Sequence, residues 1–136
     1  MKLQRLSLDY NRSLYDIREI AGVTKSLRAL VIRNCPKIED FSVLSELTNL
    51  EYLELDGSNL LPDLKFLDRL PNLKTLRMGM KITDGDLTPT LRLSSVWFKK
   101  THAHYNLRKK DLPAGSAYYG EENIDLWRRW NDSNID

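Results

Sequence analysis

The run Ile38-Glu39-Asp40-Phe41-Ser42-Val43-Leu44-Ser45-Glu46-Leu47-Thr48-Asn49-Leu50-Glu51-Tyr52-Leu53-Glu54-Leu55 carries two apolar rhythms in succession. Phe41, Leu44 and Leu47 recur every third residue, which suits a 3-10 or single-turn helical segment. Leu50, Leu53 and Leu55 then follow the spacing L-x-x-L-x-L, whose last half alternates as a strand with one buried face does. The strand rhythm recurs outward in both directions. It stands at Leu3/Leu6/Leu8, Leu27/Leu30/Ile32, Leu73/Leu76/Met78 and Leu93/Val96/Phe98, so the copies start 24, 23, 23 and 20 residues apart. The three-residue rhythm also recurs, as Leu14/Ile17/Ile20, Leu64/Leu67/Leu70 and the reduced pair Leu87/Leu91. The chain holds 24 leucines, and an excess of that kind points to internal repeats. A period in the low twenties is too short for two helices per unit. One unit cannot cover its own apolar face, so neighbours must stack. The spacing therefore predicts parallel strands near 3–8, 27–32, 50–55, 73–78 and 93–98 in one curved sheet.

These copies resemble leucine-rich repeats, whose pattern continues with Asn or Cys. Asn11 and Cys35 stand at that place, while Ser58, Lys81 and Thr101 replace it later. The segment 38–53 is similar to the short repeats of bacterial internalin-type proteins, and the resemblance covers about residues 3 to 107. It implies an α/β solenoid with a parallel sheet on the concave side, 3-10, short helical or irregular segments on the convex side, and a C-terminal cap. The expected division is a solenoid of about five repeats over 1–113 and a cap or tail over 114–136. In the family the Asn or Cys side chain points inward and bonds unpaired backbone groups. Cys35 is therefore expected as a buried ladder residue, since no basic partner stands beside it to make it a nucleophile.

A chain of 136 residues suits one domain and can bury roughly two thirds of its unfolded surface. A net charge of +2 does not mark a strongly basic nucleic-acid binder or an acidic tail. A single cysteine excludes an internal disulfide, and Met1-Lys2-Leu3-Gln4-Arg5 lacks the apolar run of a secretory signal, so a cytoplasmic location is expected with no membrane partner. The first strand has no preceding repeat, so its edge is expected to self-associate, to meet a partner, or to mark a fragment of a longer chain. Beyond the repeats, Ile124, Trp127 and Trp130 at spacing three, led by Glu121 and Glu122, suit a short amphipathic helix near 121–130.

Residues between the leucines form columns on the exposed face. The strip Tyr52, Glu54, Arg77 and Trp97, rimmed by Lys99 and Lys100, is the expected partner-binding surface, because Tyr, Trp and Arg dominate binding hot spots. Met80 and Tyr10 belong to the same mixed surface. Two plainer readings stand beside it: Glu54 pairs with Arg33 and Arg77 or Asp56 with Arg33 as ordinary surface ions, and Trp97 is covered by the C-terminal segment. Charge is graded along the chain. Residues 39–68 hold eight carboxylates and one base, while 92–113 hold six bases and one acid.

No phosphate loop or nucleophile elbow is present, so an enzyme is not expected and no cofactor is implied. His102 and His104 lie two apart with no third ligand at a sensible distance, so packing is the expected role and not metal binding. The basic stretch 99–110 with Trp97 and Tyr105 suggests nucleic acid, but the acidic flank disfavours it. What remains is a non-catalytic protein-interaction module. One form is a bacterial immunity or inhibitor protein that neutralises a toxin or effector. The alternative is a scaffold or a fragment of a larger repeat receptor.

Overall fold

A computed structural model describes residues 3–114. Strands β1 (Arg5–Asp9), β2 (Ala29–Arg33), β3 (Tyr52–Leu61), β4 (Thr75–Ile82) and β5 (Ser95–Phe98) form one sheet in sequence order, with every pair parallel. A short 3-10 segment stands in each connection: Arg18–Val23, Ser42–Glu46, Lys65–Arg69 and Thr88–Arg92. A fifth, Lys109–Asp111, follows β5.

Each strand begins two residues later than the leucine spacing predicts. The reason is local. Leu50, Leu73 and Leu93 donate their amides to Leu47, Leu70 and Thr90, and Leu27 donates to Val23, so each first leucine closes the preceding turn and does not open the ladder. The next two leucine positions fall in register. Leu6, Leu30, Leu53, Leu76 and Val96 form one column, and Leu8, Ile32, Leu55, Met78 and Phe98 the next. Leu44, Leu47, Leu64, Leu67 and Leu70 pack on these columns from the 3-10 side, giving one continuous core. Leu6 and Leu8 are only partly buried, since among the described residues β1 has no strand on its outer side. In the fourth connection Leu91 is exposed and Thr90 is buried instead. Spacing of three from Leu87 reaches Thr90 and then Leu93, and the Thr90 hydroxyl donates to the Leu87 carbonyl.

The inward polar position holds for Cys35, which is fully buried with Sγ 3.6 Å from the Leu8 carbonyl. It fails for Asn11. That side chain is exposed, and its Oδ1 accepts from the amides of Ser13 and Leu14 in a local turn. In the third copy the role falls to Asn59, not Ser58. Asn59 is buried, and its Nδ2 donates to the carbonyls of Cys35 (3.0 Å) and Ile38 (2.8 Å). The shift by one comes from an irregularity in β3 between Asp56 and Leu60, where Gly57 takes φ 152°.

After β5 the chain returns to the end of the sheet. The Val96 amide donates to the Pro113 carbonyl at 2.8 Å, and Tyr105 and Leu112 are buried in the core. The helix expected near 121–130, its packing on Trp97, and all but Ala114 of the cap expected over 114–136 lie outside the described residues.

Candidate interaction surface

The sheet has a leucine face, covered by the 3-10 segments, and a second face. On the second face the register lines up Arg5, Ala29, Tyr52, Thr75 and Ser95, then Ser7, Val31, Glu54, Arg77 and Trp97. The strip expected to bind a partner lies here, but its centre is closed. Tyr52 is 1% and Glu54 5% exposed, so neither offers a contact surface. Ala29, Val31 and Tyr52 make a second apolar cluster, separate from the leucine core. Met80, also expected on the surface, is buried in the leucine core. Strand alternation past Met78 puts Met80 on the leucine side.

The polar atoms of this centre satisfy one another. The Tyr52 hydroxyl donates to Glu54 Oε1 at 2.7 Å, and Arg33 Nε donates to Oε2 at 2.7 Å. Arg77 Nη1 stands 3.9 Å from Oε1. Burial pushes the Glu54 carboxyl up, but the bonds from Arg33 and Tyr52 and the charges of Arg33 and Arg77 outweigh it, so the group sits below its ordinary value. The Arg77 guanidinium also lies over the Trp97 ring, 4.9 Å from its centroid. Trp97 is 37% exposed. Lys99 Nζ lies 3.8 Å from Asp56 Oδ1, so Asp56 meets Lys99 and not Arg33. Lys100 is exposed. The structure thus joins Tyr52, Glu54, Arg77 and Trp97 into one chain of contacts, but places neither lysine in it.

Accessible side chains stand at the ends of the strands. Tyr10 N–H donates to the Arg33 carbonyl (2.8 Å), Asn34 N–H to Asp56 (2.9 Å) and Lys99 N–H to Met78 (2.9 Å), so ladder bonding continues past β1, β2 and β5. Tyr10 and Asn34 hold left-handed φ values of 53° and 55°. Asn tolerates that region, but Tyr rarely does. A groove along this rim is lined by Tyr10, Arg12, Asn34, Asp56, Gly57 and Lys99, among others. Tyr10 is 73% exposed. At Gly79 an added Cβ would stand 2.1 Å from Asp56 Oδ1, so any side chain there must displace that carboxylate. The sequence columns contained Tyr10 and Asn34, but nothing in their spacing distinguishes them from the buried Tyr52.

Within the basic stretch after β5, Arg108 and Tyr105 serve the architecture, while Lys100, Lys109 and Lys110 are exposed. Arg108 Nη2 donates to the carbonyls of His102 and Tyr105, and the Asp111 carboxylate accepts from the Arg108 amide. Tyr105 is buried edge-on against Phe98, and its hydroxyl accepts from the Ile82 amide. It offers no stacking platform to a nucleic acid. His104 Nε2 lies 2.9 Å from the Ile82 carbonyl, and both histidine rings pack against Tyr105. Burial and the neighbouring Lys100, Lys81 and His104 hold His102 below its ordinary value.

No known protein family matches the chain, and no curated protein is detectably similar to it. Among the described residues no helix is long and apolar enough to cross a membrane.

Proposed function

We propose that the chain is a leucine-rich repeat solenoid acting as a non-catalytic protein-interaction module, and that its partner docks on the strand-end rim. The observation that carries this reading is Tyr10. Its backbone is held in a rarely used conformation by a ladder hydrogen bond, while its ring stands exposed beside Arg12 and Asn34. An exposed tyrosine among mixed polar groups is the kind of side chain that binding hot spots use. Sequential parallel order and 3-10 returns support the solenoid. Within the class, inhibition of a toxin or effector is the form we favour: a short repeat stack presents a fixed surface large enough to cover a partner enzyme's active site.

The test uses the full chain, immobilised and exposed to extract of its source cells. A stoichiometric partner is expected. Tyr10→Ala should weaken its binding by about tenfold or more, the effect of losing a hot-spot side chain, while the thermal midpoint stays unchanged. An enzymatic activity of that partner, titrated to zero by one equivalent of this protein, would support the inhibitor form. Retention untouched by both Tyr10→Ala and Lys99→Glu would remove the rim from consideration.

A further inference from the structure

We propose that the outer edge of β1 pairs antiparallel with β1 of a second copy, about a two-fold axis at Ser7 that sets Arg5 against Asp9. Among the described residues β1 pairs on one side only, with β2. The parity of its bonds is fixed. The Gln4 carbonyl accepts from the Ala29 amide at 3.0 Å, and the Tyr10 amide donates to the Arg33 carbonyl at 2.8 Å. Alternation then turns the amides and carbonyls of Leu6 and Leu8 towards β2, and those of Arg5, Ser7 and Asp9 outward. An edge of this kind is a template for another strand. Its side chains tell the same story. Leu6 and Leu8 share columns with Leu30, Ile32, Leu53 and Leu55, which are fully closed, yet they are only partly buried.

The run Arg5-Leu6-Ser7-Leu8-Asp9 identifies the occupant, because it matches its own reverse. Centred on Ser7, Arg5 falls opposite Asp9, Leu6 opposite Leu8, and Ser7 opposite itself. Opposite residues in an antiparallel pair share a face. The leucines of both copies therefore join in one core. The charges meet on the second face, where the Ser7 hydroxyl donates to Asp9 Oδ2 at 3.2 Å. Arg5, Ser7 and Asp9 are also the residues whose backbone groups point outward, so each of these pairs exchanges both of its hydrogen bonds. Other registers lose the match. Centring on Arg5 sets two arginines together, and centring on Asp9 two aspartates. Centring on Leu6 or Leu8 sets each charge opposite no counter-charge within the strand. Charged side chains on an edge keep foreign strands away; opposed in sign about Ser7, they favour this register alone. The far edge of the sheet does not compete for β1, since on β5 the Val96 amide donates to the Pro113 carbonyl. The contact is isologous, so it closes at two copies.

Sedimentation equilibrium of the full chain over a range of concentrations tests this, and a dimer is expected. Arg5→Asp alone, or Asp9→Arg alone, sets like charges together at both ends of the pairing and should weaken the dimer about tenfold or more. An equimolar mixture of the two variants should recover it as a mixed dimer, because one copy then brings only acids and the other only bases. In the unsubstituted chain the Ser7 amide should exchange with solvent more slowly as the dimer forms. A chain that stays monomeric at every concentration overturns the proposal. So does a dimer indifferent to both substitutions, or one that the mixture fails to restore. A Ser7 amide that exchanges freely in the dimer overturns it without any variant. The rim reading is independent, since it fails or stands on Tyr10→Ala.

Discussion

Glu54 shows how a single carboxylate is kept charged inside a protein. Removing it from water is unfavourable, and the fold answers with a phenol, a guanidinium bond and a second guanidinium nearby. Because the folded group titrates below its ordinary value of 4.5, its contribution is full above that value and is lost as pH falls through the folded one. Glu54→Gln should cost about 1.5–3 kcal/mol at neutral pH, the range for hydrogen bonds to a charged group. Urea melts at neutral and acid pH check this. The gap between the two proteins should narrow on acidification, as the native carboxyl itself becomes neutral. A gap that stays constant would mean that charge is not what Glu54 contributes. Asn59 is the uncharged counterpart: its amide serves two carbonyls of the preceding connection, so it ties two repeats together.

At the scale of the element, β3 is the informative strand. It runs ten residues where the leucine spacing predicts six, and its irregularity carries the chain from the sheet into the third connection. Gly57 makes this possible. An added Cβ would lie 2.7 Å from Asn59 Oδ1, on a backbone at φ 152° that side chains avoid. Gly57→Ala should therefore cost about 1–3 kcal/mol, typical of strained backbone, and should loosen the Asn59 bonds as well. Gly22→Ala is the control, because a Cβ there meets nothing within 4 Å. Thermal melts of the two variants should separate clearly. Equal midpoints would show that the β3 irregularity is not conformationally demanding. Strand starts were legible only to within two residues, since the same leucine can close a turn or open a ladder, and hydrogen-bond partners decide which.

For the whole molecule, stability is a matter of neighbours. Each strand pairs only with those before and after it, and the core is one uninterrupted column system. Leu53 sits in the middle strand, fully buried, with Leu30 and Leu76 beside it. Leu53→Ala should cost about 2–5 kcal/mol through lost burial and the cavity left behind. The array is short, so it should still melt in one transition, seen together by circular dichroism and tryptophan fluorescence. An unchanged midpoint would contradict the central place of Leu53. Separate transitions would show that the repeats on either side of it fold independently.

Periodicity by itself determined the parallel order of the five strands and the side on which the leucines lie, while the burial of Cys35 was implied by the resemblance to leucine-rich repeats. The order and the side follow from spacing, because a constant repeat with one apolar face has only one way to stack. The interaction surface did not follow. Alternation assigns Tyr52, Glu54 and Tyr10 alike to positions away from the leucine core, but it says only which way a side chain leaves the backbone. Whether that direction ends in water depends on what other parts of the chain bring over it. Tyr52 and Glu54 are closed in and Tyr10 is open, although all three leave the backbone away from the leucine core. The same holds for Tyr105 and Arg108, which look like nucleic-acid ligands in a basic run and serve instead as structural partners of the Ile82, His102 and Tyr105 backbone. Local pattern specifies the ladder because its energy is local and repeated. Exposure is a property of the assembled molecule, and only the tertiary structure decided it.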